Sequence, residues 1–180
     1  MIKLTLPALL ASAALAFLPL TAMATPSVSV GFSPEGSALQ LVLKTISDAQ
    51  QSIRLMGYSF TSPEVVKGLI AAKRRGVDVK VVLDWKANSK KGSAGLAAMN
   101  LLVNAGIPVR TVSQFKIMHD KVIITDGLNV ETGSFNFSRA AARSNSENVL
   151  VIRDYPSLAD IYLQHWQSRW GTGTIWGAGY

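Results

Sequence analysis

The sequence predicts a single-domain α/β protein: a mixed, largely parallel β-sheet flanked by helices on both faces. Three observations predict it. Short apolar runs rich in valine and isoleucine alternate with segments of helical periodicity as far as Val112. Serine or threonine followed by proline marks helix starts directly after strands, the order expected of βαβ units. Beyond Gln114 two apolar runs are joined across Asp126-Gly127-Leu128, a hairpin signal that makes the sheet mixed.

Residues 1–24 stand apart from this pattern. Lys3 supplies a positive start, residues 4–20 an apolar run, and Ala22-Met23-Ala24 a small-x-small cleavage site, so the segment reads as a secretory signal peptide. Pro7, Pro19 and the small residues at the end favour cleavage over a membrane anchor. The domain then spans residues 25–180, and loss of Lys3 lowers the formal charge from +7 to +6. A basic secreted chain suits polyanions, nucleic acid or anionic lipid. The absence of cysteine excludes disulfides and thiolate metal sites.

Residues 28–32 alternate as a first strand, and Ser33-Pro34-Glu35 opens a helix, serine as N-cap and proline at N1, that ends near Gln51. A second strand covers 53–60. Thr61-Ser62-Pro63-Glu64 repeats the start signal, and Lys73-Arg74-Arg75-Gly76 closes that helix with basic residues and a glycine cap. The third strand, 77–83, ends in Asp84-Trp85; 86–92 reads as a loop, 93–105 as a helix and 107–112 as a fourth strand. Strands at 118–125 and 129–135, a short helix at 138–143 and a strand at 147–153 follow. The last helix, 157–170, carries Leu158, Ile161, Tyr162, Trp166 and Trp170 at helical spacing.

The chemistry is concentrated between Phe115 and Asn148. Strand side chains alternate faces, so His119 and Lys121 share one face, as do Ser134 and Asn136. A hairpin with an even-numbered loop pairs positions whose numbers sum to 255 or 253, and either choice puts all four on one face; a slip of one residue would not. Lys121 offers positive charge, and Ser134 and Asn136 offer donors, equipment for holding a phosphate as charge builds in a transition state. Histidine can act as nucleophile or proton shuttle near neutral pH. Glu147, opening the next strand, is the candidate carboxylate to orient it. Asp126 lies at an odd offset from His119 and precedes Gly127, so turn formation or an ion pair competes with a chemical role for it. His165, the only other histidine, sits on the last helix away from these residues.

His119-x-Lys121-x4-Asp126 followed by Gly133-Ser134-x-Asn136 resembles the HxKxxxxD signature of the phospholipase D superfamily. A single copy, a leader and this length make the chain similar to the small secreted bacterial endonucleases of that group. The resemblance implies a phosphodiesterase that needs no metal or other cofactor, with His119, Lys121, Asp126 and Glu147 in the catalytic set and Lys121, Ser134 and Asn136 on phosphate. It also implies that two motifs meet at one site, one histidine attacking phosphorus and the other protonating the leaving oxygen. With one copy per chain, the second must come from a symmetric homodimer. The carboxylates, scattered and without Asp-x-Asp or histidine clusters, do not argue for a two-metal site.

Three functions follow as expectations. The first is a sequence-nonspecific endonuclease of DNA, and of RNA as a second substrate, with Arg139, Arg143 and Lys86 (with Lys90 and Lys91) available to phosphates and Trp85 to stacking. The second is a lipid phosphodiesterase, against which stands the lack of an amphipathic membrane helix with a basic polar face. The third is a non-catalytic nucleic-acid-binding protein. The leader implies a periplasmic location and no stable membrane association once it is cleaved.

Overall fold

The computed structural model describes residues 25–177, so the leader expected at 1–24 lies outside the described residues. The first half of the chain alternates β1 (Ser27–Ser33), α1 (Ser37–Asp48), β2 (Ser52–Gly57), α2 (Pro63–Arg74), β3 (Asp78–Asp84), the one-turn α3 (Trp85–Asn88), α4 (Ala94–Asn104) and β4 (Val109–Val112). The second half adds β5 (Lys121–Thr125), β6 (Asn129–Gly133), α5 (Arg139–Arg143), β7 (Glu147–Arg153), α6 (Pro156–Thr172) and the two-residue β8 (Thr174–Ile175). All eight strands form one sheet in the order β1-β7-β6-β5-β2-β3-β4-β8.

Pairing is parallel for β2–β3 and β3–β4 and antiparallel for the other neighbours. β1 to β4 nevertheless all run the same way, because β1 crosses to the far edge and returns to that direction after the alternating β7, β6 and β5. The C-terminal ends of β1 to β4 therefore share one end of the sheet with the start of β5, the close of β6 and the start of β7. That end carries the site.

Alternation along the central strands sorts two cores. Leu55, Val81, Leu83, Ile123 and Val151 face α1, α2 and α4, meeting Val42, Ile46, Leu69, Met99 and Leu102. Met56, Val82, Val122, Ile124 and Val130 face the opposite way, onto Ala159 and Trp166 of α6. Both faces of β2 are buried, as strands covered on two sides must be. α6 packs over β2 to β6, and on that face β1 leaves Val28, Val30 and Phe32 at 61%, 53% and 55% exposure. Among the described residues no helix is long and apolar enough to cross a membrane.

The cap expected at Ser62 forms, and Ser93 supplies another. Ser62 accepts from the Val65 N–H with Pro63 behind it in the first turn of α2, and Ser93 accepts from the Leu96 N–H at the start of α4. The start of α1 differs. Ser33 is the last residue of β1, and α1 begins at Ser37 after Gly36, whose φ of 97° suits glycine. The Ser37 hydroxyl explains the shift: it accepts from the Phe32 N–H and donates to the Phe32 carbonyl, folding the chain back on the strand end. α1 also stops at Asp48 rather than near Gln51, because the N–H groups of Gln50 and Gln51 go to the Asp126 carboxylate. The first turn of the expected loop 86–92 is the helix α3, capped by Asp84 accepting from the Ala87 N–H at 2.8 Å.

The hairpin departs in register. Val122 faces Thr132, not Gly133 or Glu131. The loop 126–128 holds three residues, with Asp126 (φ 57°) and Gly127 (φ 66°) both left-handed and the Leu128 N–H donating to the Thr125 carbonyl. An odd loop moves the pairing by the single residue that the parity argument does not tolerate. The strands are also shorter than predicted: β5 begins at Lys121 and β6 ends at Gly133, so His119, Ser134 and Asn136 stand beyond the ladder.

Candidate active site

The site is built where β5 starts. Lys121 is paired with Gly57, the end of β2, and is 6% exposed. Its ammonium donates to the His119 carbonyl at 2.8 Å and lies 5.6 Å from the ring centre of Tyr58, the residue after Gly57. The Tyr58 ring also packs against the His119 imidazole, with centroids 4.8 Å apart. Tyr58 is thus a shared wall for both motif residues. Burial pulls the Lys121 pKa below its ordinary 10.5, while the charges of Asp120 and Glu147 push the other way. His119 is exposed, and among the described residues no hydrogen bond holds its ring.

Residues 113–120 are irregular, so no ladder fixes the histidine. Asp84 supplies part of the order. Its Oδ2 accepts from the Met118 N–H at 2.8 Å while Oδ1 caps α3. Asn88, fully buried on α3, accepts from the Phe60 N–H and donates to the Tyr58 and Asp84 carbonyls. One strand end and one helical turn therefore set both the tyrosine wall and the backbone just before His119.

The residues expected to hold phosphate are brought in by the ends of β6 and β7. Ser134 donates to the Glu147 carboxylate, and its hydroxyl accepts from the Asn148 N–H at 3.0 Å. Gly133 permits this approach: a Cβ there would collide with the Asn148 carbonyl oxygen. Asn145 donates to the other Glu147 oxygen at 2.9 Å. Asn136 is half-buried, with its Oδ1 buried and without a partner among the described residues. Ser134 and Glu147 form one group, and the Glu147 charge acts on Lys121. The register slip would have turned Ser134 to the wrong face of a continuing strand; the close of β6 at Gly133 frees it.

Two expected roles are placed differently. Glu147 bonds Ser134 and Asn145 rather than His119, because β6 lies between β7 and β5. Asp126 stands at the far end of β5, about 16 Å along the strand from Lys121. There its carboxylate accepts from the N–H groups of Gln50, Gln51 and Ser52, tying the start of β2 to the hairpin. Its place in the motif is structural, the alternative that its turn position left open.

Among the residues expected to contact nucleic acid, Trp85 is 45% exposed at the start of α3, about 10 Å from β5 across two strand spacings. Lys86, Lys90 and Lys91 are exposed beside it. Arg139 and Arg143 are exposed on α5, where Arg143 pairs with Glu64 at 3.7 Å. Hydrogen bonding within the first turn of α2 and the two arginines hold the Glu64 carboxyl below its usual range. Among the described residues no group of three or more histidine, aspartate or glutamate side chains converges on a metal position.

Sequence reasoning missed Tyr58, Asp84 and Asn88, and it set His165 apart from the motif. His165 is in fact hydrogen-bonded to Asp120, inside the motif. Asp84 and Asn88 carried a faint signal, polar residues ending an apolar strand and four apart on one helical turn. Tyr58 and His165 carried none.

The family model described as cardiolipin synthase, PLD-like domain, matches residues 42–170. The chain belongs to the phospholipase D superfamily. It is 40% identical over 142 residues to a phospholipase D of Rickettsia bellii, covering 79% of this chain and 68% of that one. The mitochondrial cardiolipin hydrolase of Xenopus laevis is 32% identical over 134 residues, 74% of this chain and 61% of the relative. The crystal structure of Nuc, a phospholipase D family member from Salmonella typhimurium, superposes with a TM-score of 0.82 at 57% identity, covering 84% of this chain and 99% of Nuc. NucT from Helicobacter pylori, at 22% identity and a TM-score of 0.74, shares the fold. The sheet and its flanking helices are those of this superfamily, and the chain is a phosphodiesterase of the phospholipase D type.

Proposed function

We propose that this phosphodiesterase is a sequence-nonspecific endonuclease of DNA, with RNA as a second substrate, acting as a symmetric homodimer in the periplasm after its leader is removed. The observation that carries the reading is the half-site: one exposed histidine and one buried lysine per chain at an open sheet end, the other histidine, His165, being engaged with Asp120 on the α6 side. A general acid opposite the nucleophile is still required, and a two-fold axis through this end supplies it. The uncovered apolar strip Val28, Val30 and Phe32 runs from the same end, since Phe32 pairs with Asn148 and Ser33 with Glu147, and it offers the surface for such a contact.

In this reading His119 of one protomer attacks phosphorus. A phosphorus–nitrogen bond forms as the bond to the leaving oxygen breaks, and His119 of the partner subunit gives that oxygen a proton. Water then attacks phosphorus, releasing the first histidine, and its proton returns to the second. Lys121, Ser134 and Asn136 hold the non-bridging oxygens. Exposed Lys86, Arg139 and Arg143 favour a long polyanion, and Trp85 a stacked base. The similarity to Nuc, which covers that chain almost end to end, supports the same small architecture.

The names of the Rickettsia and Xenopus relatives favour a second reading, hydrolysis of phospholipid. One experiment separates the two. The mature protein is assayed in EDTA on plasmid DNA and on vesicles containing phosphatidylglycerol and cardiolipin, beside His119→Ala. The nuclease reading expects plasmid cleavage lost in His119→Ala with DNA binding retained. Head-group release without plasmid cleavage supports the lipid reading, and unchanged cleavage by His119→Ala sinks both.

A further inference from the structure

Asp120 separates His119 from Lys121, and its side chain leaves the site. Its Oδ1 lies 3.1 Å from Nε2 of His165 on α6, 45 residues along the chain; a carboxylate only accepts, so the ring N–H donates. The anchor is rigid. Trp166, next to His165, is 3% exposed and donates from its indole to the Leu55 carbonyl in the centre of the sheet at 2.9 Å. The anchored segment has fewer ties of its own. On the N-terminal side of His119 the Met118 N–H is held by Asp84, and the ladder resumes only at Lys121. Between them the His119 ring only packs against Tyr58, and among the described residues Asp120 alone has a side-chain hydrogen bond to another element.

Without that tie the Asp120 carboxylate would be free to turn towards the site. It is close enough for its charge to act on Lys121, and a second anion there competes with a phosphate for the same ammonium. We propose that His165 is a positioning residue: it holds Asp120 on the α6 side of the motif, which fixes the aim of His119 and keeps the carboxylate clear of the phosphate bound by Lys121. This rests on the reading above, in which His119 attacks and Lys121 binds phosphate. The side chains are 38% and 27% exposed, so the pair contributes little to global stability; its effect is on geometry, where a displacement of about 1 Å costs on the order of 100-fold in rate.

The test measures kcat and KM on bis(p-nitrophenyl) phosphate, a phosphodiester independent of the nucleic-acid reading, at a temperature well below each variant's melting point. His165→Ala is expected to lower kcat by about 10- to 100-fold with KM within about threefold of wild type. His165→Gln, whose amide can donate to Asp120, restores most of it. In an Asp120→Ala background, His165→Ala costs nothing more, because the two act as one unit. Full activity of folded His165→Ala, or equal losses in the Gln and Ala variants, or additive losses with Asp120→Ala, each overturns the tether. His119→Ala is run alongside. If it is inactive while His165→Ala is fully active, only the tether fails; if it stays active, the catalytic reading beneath it fails as well.

Discussion

Gly133 and Asn148 cross with no room between them: a methyl group on Gly133 would overlap the Asn148 carbonyl oxygen. The contact lets Ser134 meet Glu147 and the Asn148 N–H. Gly133→Ala must therefore push β6 from β7 at the site itself. We expect a loss of about 1–3 kcal/mol in stability and a larger loss of phosphodiesterase activity than melting explains. Gly127→Ala is the control. It faces open space at φ 66° and should cost about 1 kcal/mol with kcat unchanged. Equal activity losses in the two would remove Gly133 from the site.

Glu131 is fully buried, and neither carboxyl oxygen has a partner among the described residues. Burial raises its pKa well above the ordinary 4.5. Below pH 4.5 folded and unfolded chains both hold the proton and ionisation costs nothing. As pH rises from there to the raised folded value, the unfolded chain ionises first, and stability falls by about 1.4 kcal/mol per pH unit. Glu131→Met, similar in volume and without a charge, should be more stable than wild type at pH 7 and level with it near pH 4. Denaturant unfolding across that range decides it; parallel pH curves would mean Glu131 is not held protonated.

Asp126 acts on the fold. Its carboxylate takes three backbone N–H groups at the start of β2. Asp126→Ala is expected to lose about 2 kcal/mol of stability, from lost charge-assisted hydrogen bonds and a strained left-handed alanine, while kcat of the folded fraction stays within about threefold of wild type. A stable but inactive variant would return Asp126 to the catalytic set.

The Tyr58 ring packs against His119 and lies 5.6 Å from the Lys121 ammonium, so the ring is the wall that the two motif residues share. Tyr58→Phe should keep near-wild-type kcat, and Tyr58→Ala should lose about tenfold or more as the imidazole and ammonium lose their wall. Equal losses in both variants would point to the hydroxyl instead.

The proposed dimer makes Phe32 a sensitive position. Phe32→Asp places a charge in the exposed apolar strip without touching a buried contact. Sedimentation should show a monomer, and activity should fall with protomer concentration where wild type does not. A dimeric, fully active Phe32→Asp would place the interface elsewhere.

The local vocabulary of the fold was written in the sequence. Ser62-Pro63 and Gly76 mark helix ends that depend only on neighbouring residues, and near-continuous runs of valine and isoleucine mark strands that are buried on both faces. The motif spacing also singled out His119, Lys121, Ser134 and Asn136 as candidates, because the types needed to hold a phosphate are few. Position was less legible. The start of α1 turned on Ser37 bonding back to Phe32, and the hairpin register turned on a three-residue loop whose Asp126 is committed to residues 50–52. Both depend on partners supplied from outside the local sequence.

By itself, the sequence determined which side chains could do chemistry on a phosphodiester and that each chain carries one set. Tertiary structure alone decided which of them meet. It carried Asp126 to the far end of β5, brought Tyr58 and Asp84 to the histidine segment and joined His165 to Asp120 across 45 residues. The physical reason is that spacing along a strand fixes only faces and intervals, whereas the order of strands in the sheet, set by burying two cores at once, fixes neighbours.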